Sequence, residues 1–423
     1  MALLPLLVFI LSYLIVSLIF NDFYKVPIVI AFLVSSITAI LTLRGKPLRE
    51  RINIFSRGAS SENMMFMIWI FILAGAFATT AKDMGSIDNT VNMTLSFLPP
   101  QMLMASIFIA ACFVSLSIGT SVGTVVALIP IATGLADSTG ISTAMMCGVV
   151  VGGAFFGDNL SFISDTTIVA TQTQGCRMND KFKANFKLVA PAATLILILY
   201  IFIGKENATT SDVQNIEYIK VLPYMVVLIT AILGLNVMIV LLIGIIMTGC
   251  IGILEDAFDI FGFIKSMNTG ILNMSELIII TMLAGGMLEV VKTNNGIERI
   301  INFITKHVKS KKGGEAAIAF LVTTINFCTA NNTVAIITVG PIVKQIAEKF
   351  NIAPQRAASL LDTFSCFAQG IIPYGAQLLM AAGLTTISPI EIIPYLYYPF
   401  AIGIIGTIAI ITGLPKKYTR RTT

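Results

Sequence analysis

The chain is 423 residues long, 56% hydrophobic and 12% charged, with a formal net charge of +5 and a mean hydropathy of +0.90. Such a composition excludes an ordinary water-soluble domain and points to a polytopic membrane protein. The six cysteines (Cys112, Cys147, Cys176, Cys250, Cys328, Cys366) form no CxxC pair and have no His partner, so they read as packing residues, not as a metal or redox site.

In chain order, apolar runs long enough to cross about 30 Å of hydrocarbon predict eight ordinary spans at 3–20, 26–43, 64–81, 188–203, 221–235, 237–254, 275–291 and 391–413. The first has no basic n-region and no small-residue cleavage site, so it is expected to be retained, with the mature chain starting near Met1. Four longer segments, 102–136, 141–172, 313–345 and 352–383, are interrupted midway by polar or Gly-rich residues. At about 1.5 Å per residue each is too long for one simple crossing, which leaves re-entrant hairpins or unwound spans.

Lys and Arg accumulate in cytoplasmic loops. The basic clusters at 44–57, 177–187, 292–312, 344–356 and 416–421 are therefore placed inside, leaving Lys25, Lys82, Lys205, Lys220 and Lys265 outside. This is self-consistent if 102–136 and 313–345 are hairpins while 141–172 and 352–383 cross. It predicts about ten crossings with both termini cytoplasmic, and no Lys or Arg in any membrane core. Orientation accounts for the positive charge, so no nucleic-acid partner is expected.

Pro341 follows Pro130 by 211 residues, and the same offset superimposes the second and seventh spans, both hairpin interruptions and both broken spans. The fold expected is an all-α polytopic membrane protein with two repeats of inverted topology. Residues 1–205 hold hairpin 102–136 and broken helix 141–172; residues 212–415 hold hairpin 313–345 and broken helix 352–383. Secondary transporters use this plan and bind substrate where the discontinuous helices meet near the midplane.

The polar groups gather at those four interruptions. The first tip offers Gly119, Thr120, Ser121 and Thr124, and the second Asn331, Asn332 and Thr333. The first broken segment adds Asp158, Asn159, Ser161, Ser164, Asp165, Thr166 and Thr167. Its counterpart has Gln369 and Gly370 but no acid, the nearest being Asp362, beside Thr363. A carboxylate in hydrocarbon costs a few kcal/mol, roughly, and persists where a cation, a proton path or a polar cavity offsets that cost. Small hard cations want several oxygen ligands, so Na⁺ is placed at Asp158, Asp165 and Ser164. A proton competes for the same carboxylates, which gives antiport with Na⁺ and H⁺ as cargo and no cofactor. The plainer readings are a helix cap for Asp158, back-bonded hydroxyls for Thr166 and Thr167, an interfacial charge for Glu289, and a solvated surface position for His307. Trp69, Met64, Met65 and Met67 read as lipid-facing or packing residues.

The run from Gly157 to Thr167 (Gly-Asp-Asn-Leu-Ser-Phe-Ile-Ser-Asp-Thr-Thr) resembles the NhaC-type Na⁺/H⁺ antiporter family. That family's pattern is Gly-Asp, two variable residues, Ser, usually Pro, one variable residue, then Ser-Asp-Thr-Thr. This chain departs from it only at Phe162. The resemblance implies Na⁺ export across a bacterial inner membrane driven by proton entry, with Asp158, Ser161, Ser164, Asp165 and Thr166 near the ion. Some similar proteins exchange small carboxylic acids such as malate and lactate with cations, which is the alternative; an anion would need helix N-termini in place of Arg. A passive channel would instead show flux without coupling. An intramembrane aspartyl protease needs GxGD, and Phe155-Phe156-Gly157-Asp158 fails it, so no enzyme is expected. A homodimer is left open.

Overall fold

Hydrocarbon offers the backbone no hydrogen-bond partner, so a chain this apolar must pair its N–H and C=O groups inside helices. The computed structural model describes residues 4–20, 28–162, 164–207, 215–233, 235–306 and 308–414, and has no strand among them. His307, Lys25 and the basic C-terminal cluster lie outside the described residues. The helices are α1 (Leu4–Phe20), α2 (Ile28–Thr42), α3 (Leu48–Ala59), α4 (Glu62–Asp83), α5 (Ser86–Phe97), α6 (Leu103–Ile118), α7 (Ser121–Thr139), α8 (Thr143–Leu160), α9 (Asp165–Gln174) and α10 (Met178–Asn207). There follow α11 (Tyr218–Ile232), α12 (Val237–Leu254), α13 (Ile260–Asn273), α14 (Ser275–Thr293), α15 (Gly296–Thr305), α16 (Lys311–Thr329), α17 (Asn332–Lys349), α18 (Pro354–Ile371), α19 (Ala376–Thr385), α20 (Pro389–Ile392) and α21 (Tyr397–Thr412).

Among the described residues six helical stretches are long and apolar enough to cross a membrane, seven if the bent pair ending at Tyr395 counts as one span, and four shorter apolar helices accompany them. Their outward faces carry Leu33, Ile37, Phe113, Leu195, Phe202, Ile246 and Ile408, all exposed. This is the belt that a multi-pass membrane protein presents to lipid tails.

Each predicted interruption falls at a helix break. α6 turns into α7 at Gly119, whose φ of 73° glycine adopts freely; α16 turns into α17 at Ala330, whose φ of 51° strains an L-residue. α8 ends at Leu160 and α9 starts at Asp165, while α18 ends at Ile371 and α19 starts at Ala376. Shifted by 211 residues, both ends of α8 and of α9 land on those of α18 and α19. The first break forms without proline: Phe162 stands there and stacks on Phe182 of α10, ring centroids 4.7 Å apart.

Unbroken helices from the two halves cross on glycine. A Cβ on Gly75 (α4) would sit 2.3 Å from the Gly270 carbonyl oxygen (α13), and one on Gly58 (α3) would sit 2.3 Å from that of Gly285 (α14). Small residues at such crossings let backbones approach where lipid provides no hydrophobic drive. Around this frame, α6 and α7 pack on α8, α16 and α17 on α18, and α7 packs on α19 and α17 on α9 across the halves.

Two expectations are corrected. The segment 177–187, expected to be a cytoplasmic loop, is largely the first turns of the 30-residue α10, and Lys181 is only 1% exposed. Lys181, Asn185, Leu188, Ala192, Ile196 and Tyr200 recur every three or four residues and all are buried, so they form the inward stripe of one helix. Arg356, also assigned to a loop, is buried in α18 and pairs with buried Glu315 at 2.9 Å. The core therefore does contain basic residues. The apolar-run reading also passed over the shorter helices α3, α5, α13 and α15.

Candidate ion-binding site

Asp158 occupies the last turn of α8, where the helix stops because Ser161 adopts extended backbone. It is 4% exposed, and both its oxygens accept hydrogen bonds from neutral groups. Ser121 Oγ, from the first tip, the turn between α6 and α7, donates to Oδ2 at 3.0 Å. Asn332 Nδ2, from the second tip, donates to the same oxygen at 3.3 Å. Ser164 Oγ donates to Oδ1 and lies 2.9 Å from Thr166 Oγ1. Gln377 Nε2 of α19 donates to Ser121 Oγ at 2.9 Å, and Gln369 Nε2 of α18 bridges Gln377 Oε1 and the Ala330 carbonyl at 3.0 and 3.1 Å. All four breaks thus belong to one network, in which the side-chain partners of the Asp158 carboxylate are all neutral.

Beside this network lies a cavity of about 250 Å³. Gly119, Thr120 and Ser121 wall it from the first tip, and Asn331, Asn332 and Thr333 from the second; Asp158, Asp165 and Thr166 come from the first broken helix, and Gln369 and Gln377 from the second. Gln369 Oε1 is buried without a hydrogen-bond partner among the described residues, which leaves an acceptor free beside the cavity. Asp165 is exposed, at the start of α9. The cavity is met by the N-termini of α7, α9, α17 and α19 and by the C-terminal ends of the helices before them.

Other predicted residues have local duties. Asn331 Oδ1 caps α17 by accepting from the Val334 N–H at 2.9 Å, and Asn332 Oδ1 accepts from the Thr333 N–H at 3.1 Å. Thr124 Oγ1 donates to the Thr120 carbonyl at 3.1 Å. Ser161 Oγ donates to the Leu116 carbonyl at 3.0 Å, tying the break to α6. Gly370 packs so closely on Pro399 that a Cβ would lie 2.8 Å away.

Asp362, Thr363, Asn159 and Thr167 form a second buried cluster, around a residue missed by counting charges. Lys181 Nζ donates to Asp362 Oδ2, to Thr167 Oγ1 at 2.7 Å and to the Asn159 carbonyl at 2.8 Å, which uses all three ammonium hydrogens. Asn185 Nδ2 donates to the Asn159 carbonyl at 2.7 Å, and its Oδ1 accepts from Ser359 and Thr363, both at 2.9 Å. Thr167 Oγ1 also reaches the Asp158 carbonyl at 3.5 Å, so the two clusters share the frayed end of α8.

Broken helices around a buried carboxylate in a multi-pass membrane protein define a secondary transporter of ions. The sequence model of the Na⁺/H⁺ antiporter family matches residues 1–205 and 208–415, and the chain belongs to that family. It is 24% identical to the Na⁺/H⁺ antiporter NhaC of Alkalihalophilus pseudofirmus over 79% of each chain. It is also 24% identical to the malate-2H⁺/Na⁺-lactate antiporter of Bacillus subtilis over 94% of this chain and 92% of that one. The crystal structure of the Alcanivorax borkumensis YdaH transporter overlays on 86% of this chain and 88% of its own at 15% identity, with a TM-score of 0.40.

Proposed function

We propose that the chain exchanges Na⁺ for H⁺ by alternating access, with Asp158 as the residue that either ion neutralises in turn. The observation that carries this reading is that both hairpin tips converge on one buried carboxylate with neutral partners only. A buried carboxylate with no positively charged hydrogen-bond partner calls for a cation or a proton. The hydroxyls of Ser121, Ser164 and Thr166, the Thr120 side chain and Gln369 Oε1 offer the oxygen ligands a small hard cation takes. Asp165, exposed on the cavity wall, gathers cations toward it. The ten-crossing arrangement, the inverted topology of residues 1–205 and 212–415 and the cytoplasmic termini go with this reading. The glycine-crossed helices α3, α4, α13 and α14 serve as its scaffold, past which the broken helices move.

In proteoliposomes holding an internal pH dye, an inward Na⁺ gradient is expected to alkalinise the lumen, and Asp158→Asn to abolish the signal. Because the two ions compete for one carboxylate, the Na⁺ concentration for half-maximal exchange rises as pH falls. Exchange in Asp158→Asn at the wild-type rate would remove Asp158 from the site.

The alternative, exchange of a small carboxylic acid together with cations, is favoured by the N-termini of α7, α9 and α19 at the cavity, which no side chain caps and whose N–H groups suit a carboxylate. Adding malate or lactate to the same vesicles separates the two. A proton signal that requires the organic acid would establish the alternative.

A further inference from the structure

The surroundings of Lys181 have the donor set of a cation site. A main-chain carbonyl (Asn159), a hydroxyl (Thr167) and a carboxylate (Asp362) converge from α8, α9 and α18 on one point, which α10 fills with an ammonium. Asn185 holds two of these ligands in place, donating to the Asn159 carbonyl at 2.7 Å and to Asp362 Oδ2 at 3.4 Å, and is itself fixed by Ser359 and Thr363. The cage is closed: Asp362, Asn159 and Asn185 are fully buried, and Lys181 and Thr167 nearly so. Carbonyl, hydroxyl and carboxylate oxygens are what a hard cation takes, and a lone carboxylate sealed in a membrane protein is costly without a positive partner.

We propose that Lys181 is a tethered cation occupying a second monovalent-cation site of this protein, formed by Asp362, Thr167 and the Asn159 carbonyl. The ligands of this site are an ammonium, an alkylammonium, or an ion of similar size such as K⁺. Na⁺, being smaller, fits contacts of 2.7–2.8 Å less well. Since the lysine fills the cage, the mobile cation is confined to Asp158, and Lys181 is what limits the protein to one exchangeable site. That consequence rests on the antiport reading; the cage itself does not.

The test is thermal unfolding of the full-length chain in detergent, followed with a maleimide dye that reacts as buried Cys112, Cys147, Cys328 and Cys366 become exposed. Lys181→Ala leaves a void the shape of propylammonium above the three oxygens. Ammonium, propylammonium or K⁺ is expected to raise its melting temperature by at least about 3 °C at saturation, with choline inert. Neither the wild type nor Lys181→Ala/Asp362→Asn should respond. Absence of any rise in Lys181→Ala, or an equal rise in all three proteins, overturns the proposal. Should Lys181→Ala fail to accumulate, expression and purification in ammonium chloride must restore it. Failure there, while Lys181→Met/Asp362→Asn folds, overturns the proposal as well. Transport is not read, so loss of the antiport reading leaves this outcome standing.

Discussion

Asp158 and Asp362 are both buried acids at the end of α8 or packed against it, yet their surroundings differ in one respect. Asp158 is held by Ser164 from its own break, by Ser121 from the turn between α6 and α7 and by Asn332 from the turn between α16 and α17, all neutral. Asp362 is held by an ammonium whose hydrogens are all committed. Neutral donors stabilise a carboxylate without cancelling its charge, so the first cluster is left needing a mobile positive ion while the second carries its own. The difference separates a site built for exchange from one built to stay filled.

The comparison is broken most severely at Asp158. Asp158→Asn removes the buried charge on which Ser121, Ser164 and Asn332 converge and is expected to slow Na⁺-dependent proton flux by more than about 100-fold, a change of about 3 kcal/mol, measured in proteoliposomes. Folding should survive, since the asparagine oxygen still accepts from one serine and its NH2 can donate to the hydroxyl oxygen of the other.

At the second cluster the expected order reverses, with stability affected first. Lys181→Met leaves Asp362 buried and unpaired and is expected to destabilise the fold by about 3–5 kcal/mol, whereas Lys181→Met/Asp362→Asn, which removes both charges, should lie within about 2 kcal/mol of the wild type. Chemical unfolding of the three proteins measures this. A single variant no less stable than the double would mean that the ion pair is not what holds Asp362.

The polar residues of the first cluster were legible in the sequence, and so were Asp362, Thr363, Asn159 and Thr167 of the second, but not the lysine and asparagine that join them, for physical reasons. Asp158, Asp165 and their hydroxyls stand out because polar residues are scarce in an apolar chain, and the spacing of 211 residues brought the matching breaks into register. Lys181 was misread because charge counting assigns every lysine near a span end to water. Its helical phase with Asn185, Leu188, Ala192 and Tyr200 was present in the sequence and would have turned it inward. Arg356 gave no such warning, because its partner Glu315 lies 41 residues away on another helix. Likewise no local pattern brings Asn332 to Asp158, 174 residues apart; only the cross-packing of hairpins and broken helices does.

Smaller effects sharpen the account of how the two hairpin tips share one carboxylate. Ser121 Oγ both donates to Asp158 and accepts from Gln377, so Ser121→Ala strands two buried groups. It is expected to cost about 1–2 kcal/mol, raising the half-maximal Na⁺ concentration by about 5- to 30-fold. The Asn332 contact is longer, at 3.3 Å, and Asn332→Ala should raise it by less, about 2- to 5-fold. Equal effects would mean that the tips contribute alike despite their different side chains.

The smallest effect is expected at Asp165. It shares the cavity wall with Asp158, but it is exposed, and water and salt screen an exposed charge. If it attracts cations into the cavity without ligating them, Asp165→Asn should raise the half-maximal Na⁺ concentration by about 2-fold at low ionic strength and by nothing measurable at about 0.5 M salt, with the maximal rate unchanged. A salt-independent loss matching that of Asp158→Asn would instead make Asp165 a direct ligand, and the exchanging site would then hold two carboxylates where the geometry of Asp158 alone supplies one.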